Sequence, residues 1–167
     1  VQNKRLLDAL AAYVIQRPGD FTTQGLSNIA WAFATFDLRH EKLMKAVAAG
    51  VLSKIASHGP HAASLGPQAV SNIFWAFAKL KVVHPELLDA LTSRAFDLLN
   101  RMKPVELGIL AVGLTLLGPD ADRRLVEEIG QVAISRGDEL EVCHWDRVIA
   151  AHIQLAIPCG NVLEACR

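Results

Sequence analysis

The sequence predicts an all-α protein, an α-solenoid of tandem two-helix (helix-turn-helix) repeats of about 38 residues each. Three observations lead to this prediction. One series of related segments recurs along the chain, a second series recurs between its members with the same period, and Pro and Gly fall at the segment boundaries. Both series carry their apolar residues at helical spacing, as stacked amphipathic helices do.

The first series defines helix A of each repeat. Residues 26–36 (LSNIAWAFATF) and 70–80 (VSNIFWAFAKL) are identical at seven of eleven positions and lie 44 residues apart. The copies at 107–117 and 145–155 keep the apolar pattern but lose the Ser-Asn pair and the Trp. The sequence therefore predicts helix A at 23–36, 66–80, 104–117 and 142–156.

The second series defines helix B. The pentapeptide at residues 6–10 (LLDAL) recurs unchanged at 87–91, and equivalent segments begin at Leu43 and Leu125. In every copy the apolar positions follow an i, i+1, i+4, i+8 pattern, which places them on one side of a helix. The predicted spans of helix B are 4–16, 41–56, 85–102 and 121–136.

Pro and Gly mark the boundaries of these helices. Pro67 and Pro104 begin helix A, where the missing N–H removes no helical hydrogen bond, and Pro85 begins a helix B. The 44-residue offset exceeds the period of about 38, and residues 58–64 (HGPHAAS) explain the excess as a loop insertion between repeats. The predicted units of this single solenoid segment are 1–20 (partial), 21–65, 66–103, 104–141 and 142–167 (partial), and we expect them to belong to a longer chain.

The composition restricts the classes of partner. Seventeen basic residues balance seventeen acidic ones, which withholds the electrostatic support that a nucleic-acid-binding protein usually has, although a local basic stripe would suffice. Half of the residues (51%) are hydrophobic, but charged residues interrupt every apolar stretch. Because no stretch reaches the roughly 18 residues that a transmembrane helix needs, no membrane insertion is expected.

The sequence predicts no enzyme activity. It contains no Gly-rich phosphate loop, no G-x-S-x-G motif and no H-E-x-x-H motif. Cys143 and His144 are neighbours, but they do not supply four ligands at zinc-finger spacing, so we expect no metal site and no cofactor. His40 and His84 occupy equivalent positions after helix A, which indicates a turn role.

The two complete copies of helix A resemble the octotricopeptide repeat, a family with units of about 38 residues, a Pro-rich start and a Leu-Ser-Asn-x-x-Trp-Ala-Leu-Ala core. The segments that carry the resemblance are Gln24 with 26–34 and 67–80, and the resemblance is specific over residues 21–102. From 103 to 156 only the period remains. The resemblance implies an organellar protein of algae or related protists, which acts on RNA in the mitochondrial matrix or the plastid stroma.

The candidate site is a polar and aromatic stripe on helix A. On a helical wheel, Asn28 and Trp31 lie together in one copy, as do Asn72, Trp75 and Lys79 in the next. An indole can stack on a base, an amide can bind the edge of a base and a Lys can bind phosphate, so the stripe suits single-stranded RNA. The opposite side is expected to be core: Leu26, Ile29, Ala30, Phe33 and Phe36.

A structural role for the same residues is the alternative. Trp31 and Trp75 would then fill the seam between neighbouring A helices, and the two Asn side chains would fix the angle between repeats. Ser27 and Ser71 are expected to be packing residues or to bond the helix backbone. Two groups of basic residues either line a phosphate path or form solvated helix faces: Lys42, Lys45 and Lys54, and Arg94, Arg101 and Lys103.

Two functions follow from these alternatives. The first is an organellar RNA-binding protein for transcript maturation, stability or translation, or for binding rRNA. The second is a structural scaffold subunit of a large organelle complex, such as a mitochondrial or plastid ribosome or a bioenergetic complex, held by protein–protein contacts. Balanced charge favours the scaffold, whereas the Asn and Trp stripe favours RNA.

Overall fold

The fold is all helical. A computed structural model describes residues 4–58 and 65–166, and within these ranges all regular structure is helix. The longest of the helices has 18 residues, and none of those described is apolar enough over such a length to cross a membrane. The α-helices are α1 Lys4–Gln16, α2 Thr23–Thr35, α3 Glu41–His58, α4 Pro67–Lys79, α5 Pro85–Leu98, α6 Pro104–Leu117, α7 Arg123–Ser135, α8 Val142–Gln154 and α9 Gly160–Ala165.

The helices lie where the sequence predicts them, to within a few residues. Helix A of the four copies corresponds to α2, α4, α6 and α8, and helix B to α1, α3, α5 and α7. The largest difference is at α5, which ends at Leu98 and continues as the 3-10 helix Leu99–Arg101. Of the predicted insertion at 58–64, the first residue ends α3, and residues 59–64 lie outside the described residues.

The helices pack in two rows. In one row α2 packs on α4, α4 on α6 and α6 on α8; in the other, α1 packs on α3, α3 on α5, α5 on α7 and α7 on α9. The rows meet where consecutive helices touch, as α2 touches α3 and α4 touches α5. The apolar stripe of the helices in the second row faces this junction, and Leu43, Leu87 and Leu125 are fully buried there.

Helix α4 is the most enclosed helix of the first row. Nine of its 13 residues are buried, because α2 and α6 flank it on two sides and α5 covers a third. Helix α6 comes especially close: a Cβ added to Gly113 would lie 3.3 Å from the backbone N of Trp75 and 2.9 Å from Cδ1 of Phe74. The remaining accessible surface of α4 is the stripe that carries Gln68, Trp75 and Lys79.

Two expectations for apolar residues were wrong. Phe36 was expected in the core but is 53% exposed, because α2 ends at Thr35 and the chain turns away at Asp37. Leu6, the first residue of the stripe in α1, is 64% exposed, whereas Leu7, Leu10 and Val14 of the same stripe pack against the core. The other predicted core residues of α2, from Leu26 to Phe33, are buried.

The same turn ends three helices of the first row. Asp37, Lys81 and Ala156 have left-handed backbone conformations, with φ of 54°, 53° and 52°. The next N–H in each case reaches back to a carbonyl in the last helical turn; Leu38, for example, donates to the carbonyl of Phe33 at 2.8 Å. These are Schellman caps, which satisfy the terminal carbonyls of a helix and reverse the chain toward the following one.

Candidate functional site

A pocket lies over the accessible stripe of α4, between α2 and α6. Its volume is about 420 Å³, within the range of about 300–1,000 Å³ that is usual for ligand sites. All three helices contribute to it, and it contains three of the five predicted site residues. The lining residues are Asn28, Trp31, Gln68, Asn72, Lys103, Val105, Glu106 and Ile109.

Three amide side chains form the polar wall of the pocket. Asn28 is exposed, and its Oδ1 accepts a hydrogen bond from Nε2 of Gln24 at 2.9 Å. Asn72 is only 7% exposed, and its amide has no hydrogen-bonding partner among the described residues. The amide atoms of Asn72 are not among the fully enclosed polar atoms without a partner, so they are open to solvent at the pocket and available to hydrogen-bond a ligand there. Gln68 lies one turn before Asn72 and extends the same wall.

The start of α6 places a carboxylate at the pocket. Glu106 is 9% exposed, and its Oε2 accepts the backbone N–H of Lys103 at 2.7 Å. This hydrogen bond is a helix cap, and it fixes the position of the carboxylate because it ties the side chain back to the start of its own helix. Lys103 is exposed at the rim, so one cationic and one anionic side chain adjoin the pocket.

The α6 side of the pocket also carries two aliphatic side chains, at positions where the repeat signature has been replaced. Val105 and Ile109 lie 37 residues after Gln68 and Asn72, which is the offset between the second and third copies of helix A. The two polar positions of one repeat are therefore aliphatic in the next. As a result, amides face aliphatic side chains across the pocket.

The two signature Trp residues contact each other. The ring centroids of Trp31 and Trp75 are 4.3 Å apart, and the ring planes are inclined by 36°. Trp75 packs against the core, and Trp31 lines the pocket, which Trp75 does not. Each indole thus covers one face of the other, and both remain partly exposed. This arrangement joins α2 to α4, and it also presents Trp31 at the pocket.

Two of the predicted site residues do not line the pocket. Trp75 contacts Trp31, and Lys79 is exposed at the last turn of α4, two turns beyond Asn72. Gln68 and Glu106 line the pocket but were not among the predicted site residues. The identity of Gln24 with Gln68 in the aligned repeats was a signal for the first, and a Glu at the third position of a Pro-initiated helix was a signal for the second.

The other polar residues singled out in the sequence have structural roles. Ser27 is fully buried and its Oγ has no hydrogen-bonding partner among the described residues, so it acts as a packing residue. Ser71 Oγ lies 3.2 Å from the carbonyl oxygens of Pro67 and Gln68, as expected for bonding to the helix backbone. Nδ1 of His40 accepts the N–H of Leu43 at 3.2 Å, which confirms its turn role at the start of α3. The turn role of its counterpart is confirmed too, since His84 is the residue that precedes α5.

The basic residues serve different purposes. Arg94 is buried, and its Nε donates to the carbonyl of Leu65 at 3.1 Å, so its guanidinium holds the chain before α4 in place. Lys54 donates to the carbonyl of Gly19 at 3.2 Å. Lys103 is the one of the six predicted basic residues that reaches the pocket described above.

One cluster of possible metal ligands lies at the start of α8. Ligand atoms of Glu141, Cys143 and His144 are all within 4.8 Å of one another, on the exposed side of the first turn. Nδ1 of His144 already accepts the backbone N–H of Glu141 at 3.1 Å, so this side chain serves as a helix cap. The group offers three ligands, whereas a structural zinc site needs four.

No protein-family model matches this chain, and no curated protein with which it was compared matches it either. The resemblance to the octotricopeptide repeat therefore rests on the residues of the two signature segments, Gln24 with 26–34 and 67–80.

Proposed function

We propose that this chain is a non-catalytic RNA-binding module, and that the pocket between α2, α4 and α6 receives a base of single-stranded RNA. The observation that carries the proposal is the position of Trp31, whose ring borders a pocket walled by amide side chains, next to the unpartnered Asn72. An aromatic face with amides at its edge is the combination that single-stranded RNA-binding modules use for an unstacked base.

The contact between the two Trp rings supports this role. The ring of Trp75 contacts that of Trp31, with 4.3 Å between their centroids, and so helps to hold the ring that borders the pocket. A ring held in place loses little conformational freedom when it stacks on a base, which favours binding. Stacking of one base contributes about 1–3 kcal/mol. Lys103 at the rim and Lys79 further along α4 are exposed cations, which would bind phosphates of the same RNA.

We propose further that the two rows of helices are a solenoid of octotricopeptide-like repeats, with units at 21–65, 66–103 and 104–141 and partial units at 1–20 and 142–167. The left-handed residues support this arrangement, since Asp37, Lys81 and Ala156 are separated by 44 and 75 residues, the same spacing as the copies of helix A. Each helix pair then contacts only its neighbours, as in repeat proteins.

The role proposed for such a module is in organellar RNA metabolism. It would bind transcripts during maturation, stabilisation or translation, or it would bind rRNA, in a mitochondrion or plastid. No cofactor is part of the proposal. The organellar setting follows from the octotricopeptide-like signature at 26–36 and 70–80 and from nothing else in the chain.

A fluorescence anisotropy titration with labelled single-stranded RNA of mixed sequence tests the proposal. We expect the wild-type chain to bind, and Trp31→Ala to weaken binding by about tenfold, which is the loss of one stacked base. Phe36→Ala is the matched control, because Phe36 is an exposed aromatic residue that does not line the pocket. Equal affinities of the wild-type chain and Trp31→Ala, with circular dichroism spectra unchanged, would contradict the proposal.

A structural scaffold in a large organelle complex is the second candidate. It is favoured by the balanced total charge and by apolar side chains that lie on the surface, among them Val83, Val142 and Ile153. Such side chains suit protein–protein contacts. In that case the chain would show no affinity for RNA in the titration, and crosslinking in the native complex would join it to proteins only.

A further inference from the structure

We propose that the pocket selects guanine among the four bases, and that Glu106 is the residue that determines this preference. The inference rests on the proposed function, because it names the base that the RNA places in the pocket. Four observations carry it: a carboxylate fixed by a helix cap, an amide that makes no hydrogen bond with the described residues, an aromatic side chain and two aliphatic side chains, all lining one pocket.

The carboxylate of Glu106 is fixed in position and has unused capacity to accept hydrogen bonds. Its Oε2 is fixed by the N–H of Lys103 at 2.7 Å, and no described residue donates a hydrogen bond to its Oε1. Each carboxylate oxygen can accept two hydrogen bonds, so both oxygens retain acceptor capacity toward the pocket. A ligand group with two adjacent N–H donors would therefore bind this carboxylate in a bidentate manner.

Guanine is the base that offers such a pair of donors. Its N1–H and its 2-amino group lie side by side on the Watson–Crick edge. Adenine and cytosine present a ring nitrogen lone pair at the central position, which would face the negative carboxylate, and uracil presents a single N–H between two carbonyls. Hydrogen bonds to a charged partner are the stronger ones, and leaving them unmade is costly, so the carboxylate discriminates against these three bases.

The other walls complete the recognition of a purine. When the carboxylate binds N1–H and the 2-amino group, the O6 atom of guanine needs a donor, and the amide of Asn72 has its N–H groups unused. Trp31 offers a face for stacking, and Val105 and Ile109 line the opposite side, where an aromatic ring would exclude water. A phosphate group is disfavoured in the same pocket because Glu106 would repel it.

The test measures base preference in an otherwise uniform RNA. Oligouridines of about ten nucleotides carry a single central guanosine, adenosine or inosine, and their affinities are compared by fluorescence anisotropy. We expect guanosine to bind about tenfold more tightly than adenosine, since a good bidentate contact discriminates by about this factor or more. Inosine lacks the 2-amino group and should fall between the two.

The variant Glu106→Gln isolates the residue. Gln preserves the helix cap on Lys103, because Glu and Gln both serve in this position, so the fold should be retained. We expect Glu106→Gln to bind the three oligonucleotides with affinities within about twofold of one another. Glu128→Gln is the matched control, since Glu128 is exposed on α7 and does not line the pocket, and it should keep the wild-type preference.

The outcomes separate this inference from the proposed function. If no oligonucleotide binds the wild-type chain, the proposed function fails. If all bind equally well, or if Glu106→Gln keeps the preference for guanosine, the chain binds RNA but the inference is overturned. A last outcome concerns competition for the wild-type pocket. If a short arginine-containing peptide displaces the guanosine oligonucleotide from the wild-type chain but not from Glu106→Gln, and guanosine monophosphate displaces it from neither, the pocket binds a protein side chain. The inference is then overturned in favour of a peptide partner.

Discussion

At the scale of single residues, the helix ends carry a conformational cost. Asp37, Lys81 and Ala156 have φ between 52° and 54°, a region in which an L side chain is disfavoured by about 1–2 kcal/mol. Glycine adopts this conformation without strain, and it is the usual residue at this position of a Schellman cap. The fold thus tolerates a strained residue at the same place in three turns.

Lys81→Gly should therefore stabilise the protein. We expect a gain of about 0.5–1 kcal/mol in the free energy of unfolding, because relief of the left-handed strain exceeds the entropic cost of a new glycine. Urea denaturation followed by circular dichroism measures it. Lys45→Gly is the matched control: Lys45 is exposed within α3, and the same change there should destabilise by about 0.5–1 kcal/mol. A loss of stability in Lys81→Gly would show that no strain is stored at this turn.

Asn72 is a residue at which binding and stability can be separated. Its amide makes no hydrogen bond with the described residues and is open to solvent at the pocket. Asn72→Leu should therefore change the free energy of unfolding by no more than about 0.5 kcal/mol and weaken RNA binding severalfold. Thermal unfolding and anisotropy titrations check both effects. A destabilised Asn72→Leu protein with unchanged affinity would assign the amide a structural role instead.

At the scale of elements, the contact between α4 and α6 depends on Gly113. A Cβ at this position would lie 2.9 Å from Cδ1 of Phe74 and 3.3 Å from Cα and N of Trp75, so the two helices would have to move apart. The close approach brings the start of α6, with Glu106, to the same pocket as Asn72.

Gly113→Ala should accordingly lower the free energy of unfolding by about 1–2 kcal/mol. Alanine is the better helix former, but its Cβ would be overpacked against the backbone of α4, and this cost outweighs the gain in helix propensity. Gly25→Ala is the control. The nearest neighbour of a Cβ at Gly25 is Oγ1 of Thr22, at 3.4 Å, so this change should be neutral or stabilising. If urea denaturation shows both variants to be equally stable, α4 and α6 are less tightly packed than described.

A second link between elements is electrostatic. Arg136 is the residue that follows α7, and its Nη1 donates a hydrogen bond to the carbonyl of Met102 at 2.6 Å. Its Nε and Nη2 donate to the two carboxylate oxygens of Glu139, at 3.0 Å and 2.6 Å respectively. The guanidinium therefore joins the connection before α6 to the connection before α8. The hydrogen bond from Arg136 lowers the pKa of Glu139 below its ordinary value, and the same hydrogen bond raises the pKa of Arg136.

The stability that this pair provides should be lost in acid. Because the folded state lowers the pKa of Glu139, the contribution is complete at pH values above the ordinary pKa of a Glu carboxyl, about 4.3, and it disappears as the pH falls through the lowered value. We expect the difference in Tm between the wild-type chain and Glu139→Gln to be constant from about pH 6 to pH 8 and to shrink below about pH 4. A difference that does not change with pH would exclude a charged pair.

At the scale of the whole molecule, the sequence predicts the helices well because their pattern is repeated. Four copies of each helix share apolar positions, and Pro67, Pro85 and Pro104 each begin a helix as predicted. Phe36 was placed wrongly because a helical wheel does not reveal where the helix stops. The left-handed turn one residue later has no glycine to mark it.

The candidate site was predicted only in part, for a physical reason. The periodicity of one helix predicts which of its side chains share a face. Asn28 and Trp31 of α2 do line the same pocket, together with Asn72 at the equivalent position of α4. The pocket, however, is formed between three helices, and its opposite wall consists of residues at positions where the signature is lost. The signature therefore does not identify Val105 and Ile109 as site residues. The offset of 37 residues between repeats does show that they are equivalent to Gln68 and Asn72.

The most direct test of the central claim, that Trp31 contacts a base of RNA, is UV crosslinking of the native protein followed by mass spectrometric mapping of the crosslinked peptide. Trp31 lines the pocket and Trp75 does not, so the nucleotide adduct should lie on the α2 peptide that contains Trp31. Crosslinks to neighbouring proteins alone, with no nucleotide on α2 or α4, would contradict the claim and assign this surface to a protein scaffold.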